Sequence, residues 1–125
     1  MDSESLAAAG LLAALSRSAE ILADLRHPFV RSRSFSFFVP PSGVRAGTAF
    51  TLPDGREVRF EVSFVTSGTV FHVDGGITVE GEPLLELPRR SLLNVHDAVA
   101  VLDDYAGDVA APAARMLDGL LDEIV

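Results

Sequence analysis

The chain has 125 residues, no cysteine and a net charge of −8 at pH 7, with all ten positive charges on arginine. That length suits one domain, 1–125, with a real core, and 48% hydrophobic against 22% charged residues is ordinary for a soluble globular protein. The missing cysteine excludes disulfides and thiolate metal sites, and the acidic balance disfavours nucleic acid and anionic membranes as partners.

The pattern over 3–26 predicts a helix. Leu12, Leu15, Ala19 and Leu22 recur at spacings of three and four, with Leu11 and Leu25 widening the stripe. Asp2 or Ser3 is the expected cap, and His27-Pro28 the expected stop. The apolar run from Leu6 to Leu15 follows Asp2 and Glu4, where a secretory leader carries positive charge, so a cytoplasmic chain is expected. No run approaches the ~20 apolar residues of a membrane span.

Residues 30–87 read as a sheet. Apolar residues alternate with polar ones in four runs, so one face is buried and one is wet. Val58, Phe60, Val62 and Phe64 occupy even positions; Phe71, Val73, Ile77 and Val79 occupy odd ones. A two-residue Ser67-Gly68 turn sets Phe64 opposite Phe71, Val62 opposite Val73, and Glu61 opposite Asp74. A three-residue Pro53-Asp54-Gly55 loop, with glycine in the left-handed region, sets Phe50 opposite Val58. Phe35, Phe37 and Val39 join the apolar face through a loop over 40–45 that begins Pro40-Pro41-Ser42-Gly43. Gly81-Glu82-Pro83 is a turn, 84–87 is a fifth strand or a packed loop, and Pro88-Arg89-Arg90 ends it.

Residues 94–125 read as helical. Asn94 caps, with Asp97 at the third helical position as a capping-box variant. Val99, Leu102, Ala106, Val109, Ala113, Met116 and Leu120 keep heptad spacing to Ile124, interrupted by Gly107 and Pro112. Either one kinked helix or two helices broken near Gly107-Asp108 are expected. The stripe serves packing against the sheet or pairing between chains.

Five features are site candidates. Parity puts Glu61, His72 and Asp74 on the wet face, where two carboxylates and an imidazole suit acid–base work or a cation; the plainer reading is solvated residues on an open sheet. Asp74-Gly75-Gly76 lacks the context of a phosphate loop and reads as a bulge. In His96-Asp97, the aspartate is a cap and the histidine an exposed first-turn residue. The basic clusters Arg26, Arg31, Arg33 and Arg89, Arg90 suit a carboxylate-bearing partner, or protect sheet edges. Phe38 and Val65 fall on the wet face, and Phe29 precedes the sheet, as contact surface. No catalytic residue, metal site or cofactor is assigned.

The fold expected is α+β: an N-terminal helix, a four-stranded antiparallel meander (five-stranded if 84–87 pairs) and one or two C-terminal helices over its apolar face. Size, charge and element order are similar to those of small acidic chaperones and immunity proteins of bacterial secretion systems, although no residue motif carries the similarity. It implies a non-enzymatic protein that binds a protein partner, with a homodimer compatible. The alternative is a small-molecule or lipid binder with its ligand between sheet and helices among Phe35, Phe37, Phe50, Phe60 and Phe71. The third reading is a metal-dependent hydrolase using Glu61, His72 and Asp74.

Overall fold

The computed structural model describes residues 3–25, 27, 30–39 and 43–124. Asp2, Arg26, Pro28, Phe29 and Pro40, Pro41, Ser42 lie outside the described residues, as do the side chains of Ser3, Glu4, Leu6, Leu11, Leu12 and Val39, and with them the expected helix cap, proline stop and first loop. In chain order the elements are α1 (Ser3–Ala23), β1 (Arg31–Val39), β2 (Gly43–Thr51), β3 (Glu57–Ser67), β4 (Val70–Val79), β5 (Glu82–Leu92), α2 (Val95–Ala110) and α3 (Ala113–Ile124). The strands form one antiparallel sheet in the order β1-β2-β3-β4-β5. Helices from both ends of the chain pack on one of its faces, so the fold is α+β.

The predicted alternation builds the core. Thr48 and Phe50 on β2, Val58, Phe60 and Val62 on β3, and Val73 and Ile77 on β4 are all buried on the helix side. Phe50 and Phe60 meet edge to face, their ring centres 5.4 Å apart. Leu22 of α1 and Leu102 of α2 are fully buried in the same core. Helix α1 ends three residues before the predicted boundary. The Leu22 carbonyl, which a longer helix would offer to residue 26, instead accepts from Thr48 Oγ1 at 2.6 Å and from the Leu25 amide at 3.2 Å.

Gly55 has a φ of +93°, Phe50 stands opposite Val58, and Pro53-Asp54-Gly55 forms the predicted three-residue loop. The β3–β4 register differs from the expectation by two residues. Phe64 pairs with Val73, Ser63 with Asp74, and Glu61 with Gly76. The loop residues are Gly68-Thr69, and Gly68 has a φ of +61°. Glycine at the first central position is what a type II′ turn demands, which moves the turn forward by one residue. A slip of two preserves parity, so every face assignment in β3 and β4 survives.

Strand β5 is real and longer than 84–87, running through Pro83, Pro88, Arg89 and Arg90. The turn before it is Glu80-Gly81, with φ of 51° and 82°. The prolines are tolerated because β5 is an edge strand whose extra residues fall at two bulges, Leu84 at one and Pro88-Arg89 at the other. Asp74 lies opposite the Pro88-Arg89 bulge, Gly75 and Gly76 pair with Leu87 and Glu86 between the two bulges, and a Cβ on Gly76 would lie 2.6 Å from the Leu85 carbonyl oxygen. The glycines therefore serve a close backbone approach, while the bulges themselves lie on β5.

Asn94 caps α2 as expected: its Oδ1 accepts from the Asp97 amide at 2.8 Å. The break between α2 and α3 lies at Ala111-Pro112, not at Gly107-Asp108. Proline has no amide for the Asp108 carbonyl and its ring crowds it, whereas glycine merely weakens a helix. Leu102, Ala106 and Val109 of the heptad-like stripe are buried, Val99 only partly, with Ala98 beside it buried instead, and α2 packs on β3, β4, β5 and α1. Gly107 is exposed in the last turn of α2, and an added Cβ would meet nothing within 4 Å beyond its own helix backbone. Gly107→Ala should therefore raise stability by about 0.5–1 kcal/mol, read as a higher urea midpoint; an unchanged or lower midpoint would show that this backbone is not ordinary helix.

Candidate functional site

The sheet face opposite the helices is the candidate site, and β1 contributes to it in an unexpected way. The β1–β2 register pairs Phe35 with Gly47 and Phe37 with Arg45, so odd positions of β1 share a face with odd positions of β2. Phe35 and Phe37 are thus on the uncovered face, not in the core. Strand β2 begins at Gly43 rather than after Arg45, which shortens the loop and reverses the expected parity. The helix side of β1 carries Ser32, Ser34 and Ser36, all exposed, and Ser34 and Ser36 border an open cavity with Ala19 and Ala23 of α1. Phe38 moves the other way: it belongs to the helix-side row, yet is 85% exposed. The suggested ligand space between sheet and helices loses Phe35 and Phe37 from its lining, and Phe50 and Phe60 are packed shut against each other.

On the uncovered face the phenylalanines form an aromatic and basic platform. The Phe35 and Phe37 rings stack with centres 5.8 Å apart. The Arg59 guanidinium lies 5.3 Å from the Phe35 ring centre and that of Arg45 lies 6.0 Å from Phe37, within cation–π range. Arg59 also donates to Glu57 at 2.6 Å, and Arg33 reaches the same carboxylate at 3.3 Å. The hydrogen bond from Arg59, then the charge of Arg59 and contact with Arg33, hold the Glu57 carboxyl below the usual range.

Beside the platform the face sinks into a cleft. On neighbouring strands Glu61 is flanked by Gly47 and Gly76, neither of which has a side chain to fill the space. A cavity of about 520 Å³ is lined by Glu61, Asp74, Thr78, Glu86 and Arg89, and a second of about 460 Å³ by Arg45, Glu57, Arg59 and Glu61. The Glu61 side chain is only 16% exposed, 3.9 Å from Arg45, and its Oε2 is buried without a hydrogen-bond partner among the described residues. Burial raises its pKa, outweighing Arg45 and Arg59, and the charge of Asp74 adds to the rise.

Because its folded pKa is raised, Glu61 contributes most to stability while protonated, below the ordinary carboxylate range, and that contribution is lost as pH rises through the raised value. Glu57 acts oppositely: its contribution is present above the ordinary range and lost as pH falls through the depressed value. Glu61→Gln should raise stability at neutral pH by about 1 kcal/mol, since it removes a poorly solvated charge while keeping a polar group of the same size in the cleft. Urea unfolding at acidic and neutral pH reads the difference, and a clear loss at neutral pH would show that the Arg45 pair outweighs burial.

Glu61, His72 and Asp74 all face this side, but only Glu61 and Asp74 share the cleft, and His72 does not join them. Asp74 accepts a short hydrogen bond from Ser63 Oγ, and His72 Nδ1 lies 2.9 Å from Ser91 Oγ on β5. His72 stands opposite Val65, four residues along β4 from the partner of Glu61, or about 13 Å. Among the described residues no group of three His, Asp or Glu is arranged to hold a metal ion. The two arginine clusters are also separate. Arg31 and Arg33 lie on β1 and Arg89 and Arg90 on β5, so four strand spacings, about 19 Å, divide them.

The chain matches no protein-family model, characterised protein or solved structure. No helix among the described residues is long and apolar enough to cross a membrane. The chemistry of the uncovered face is therefore the ground for reading function. Sequence reasoning missed Phe35, Phe37, Arg45 and Arg59 as a group. The one signal available was the run Arg-Ser-Arg-Ser-Phe-Ser-Phe, whose small polar residues share one parity while its cations and rings share the other.

Proposed function

We propose that this protein acts by binding a protein partner on the uncovered sheet face, as a small adaptor, secretion-type chaperone or immunity protein does, and not by catalysis. The observation that supports this most is the Phe35–Phe37 stack under the guanidiniums of Arg59 and Arg45. Arg31, Arg33, Arg45 and Arg59 put four of the chain's ten arginines on the β1–β3 part of one face of an otherwise acidic chain. Arginine and aromatic side chains are the groups that dominate protein interfaces. Such a surface suits a partner segment that presents carboxylates beside apolar side chains.

Photo-crosslinking tests the reading. A photoreactive residue at Phe37 should capture a defined partner, whereas one at Asp104, exposed on α2, should not. Arg45→Glu and Arg59→Glu together should abolish the Phe37 adduct. Equal adducts from both faces, or an adduct indifferent to charge reversal, would sink the proposal.

A further inference from the structure

The two edges of the sheet are built differently. On β5, Pro83, Pro88 and two bulges break the outer edge. Strand β1 has none of these: nine residues pair with β2 in unbroken register, with no proline and no acidic residue. Its outer side thus offers a long regular row of backbone donors and acceptors, the kind of edge that another strand completes.

We infer that the occupant of this edge is a second copy of β1, running antiparallel about a two-fold axis at Phe35. Centring on Phe35 pairs all nine residues. Arg33 then falls opposite Phe37 of the second copy, on the same face, so each guanidinium meets a ring and no like charges face each other. The chain already makes this contact within itself, Arg59 on Phe35 and Arg45 on Phe37. On the helix side, Phe38 falls opposite Ser32 of the second copy, a bulky exposed ring against a small residue. Centring on Ser34 instead would place Phe38 opposite Val30, which is already buried and bridged to His27. The outcome is a ten-stranded sheet whose two aromatic and basic platforms adjoin across the axis, facing the same way.

An acidic partner segment is the competing occupant, and salt separates the two. Self-pairing brings together two chains of net charge −8 with no ion pair across the seam, so added salt should strengthen it. An acidic segment held by Arg31 and Arg33 would weaken with salt.

The chain has no cysteine, so introduced ones report cleanly. In the inferred register Ser34 of one copy faces Ser36 of the other. A mixture of Ser34→Cys and Ser36→Cys chains should therefore form disulfide-linked dimers several-fold faster than either alone, or than Ser36→Cys mixed with Ser67→Cys. Sedimentation of the unmodified chain should give twice the 13.3 kDa monomer mass. Phe35→Lys, which sets two cations against each other at the axis, should return it to monomer with an unchanged circular dichroism spectrum. A monomer at every concentration and salt, or fastest cross-linking by Ser34→Cys alone, overturns the inference. The cysteine test needs only purified chain, so its failure leaves partner binding at Phe37 untouched, and failure of that binding leaves this test standing.

Discussion

Truncating Phe60 to alanine should cost about 3–5 kcal/mol of folding stability. Phe60 lies on β3, the middle strand, with Thr48 and Ile77 opposite it on the two neighbouring strands. Its ring is fully buried and meets Phe50 edge to face, and α1 and α2 close the space above the sheet. A hole there is bounded by backbone on one side and helices on the other, so collapse can fill little of it, and the cavity adds to the lost transfer energy. Domains this size are stable by roughly 5–15 kcal/mol, so the loss is a large part of the whole. Urea unfolding should show a much lower midpoint with an unchanged slope. A loss under about 1 kcal/mol, typical of a surface site, would mean that Phe60 is not in a packed core.

The helix side of β2, β3 and β4 is legible from alternation because parity is robust to a two-residue slip. The β3–β4 turn was displaced, yet a two-residue slip left Phe64, Val62 and Phe60 facing the helices. Strand β1 defeated the same logic. Phe35 and Phe37 outweigh the serines on any hydrophobic scale, so the local pattern points them to the core. Under this edge, however, α1 covers little: Ala19, Glu20 and Ala23 border an open cavity in which Ser34 and Ser36 stay exposed, so a ring there would gain little burial. Which parity goes inward at an edge is decided by how close a helix comes, and no local pattern encodes that distance. Strand β5 outruns its local pattern for a related reason: Pro88 excludes a central strand but not an edge strand, and edge position is a property of the whole sheet.

The candidate site divides along the same line. That Glu61, His72 and Asp74 share a face follows from parity. That Glu61 is buried in a cleft, with His72 turned to Ser91, follows from register and from glycines on both neighbouring strands. The platform needed the β1 register together with two arginines, Arg45 and Arg59, brought in from β2 and β3, so it became visible only in three dimensions.

Gly47→Val should cost about 2–3 kcal/mol, at the upper end for overpacking, and should disturb the site at the same time. A Cβ on residue 47 would lie 2.1 Å from the Phe60 carbonyl oxygen and 2.9 Å from the Glu61 Cα. Both are backbone atoms, so no change of rotamer relieves the contact, and β2 must move away from β3. That movement opens the ladder between Arg45 and Ser63 and between Thr48 and Phe60. It also draws Arg45 from Glu61 and lets water reach a carboxylate whose pKa is raised chiefly by burial. The Glu61 titration, followed by carboxyl NMR, should therefore shift down toward the ordinary range in Gly47→Val while the protein is still folded. Gly107→Ala is the matched control, a glycine with open space around it where a side chain should stabilise. If Gly47→Val is as stable as the parent and Glu61 titrates unchanged, the close approach of β2 to β3 is not what forms the cleft. If stability falls but the titration stays, the glycine serves the sheet alone. Both changes together would tie the depth of the site to the absence of one side chain, a link that neither burial nor charge at Glu61 reveals by itself.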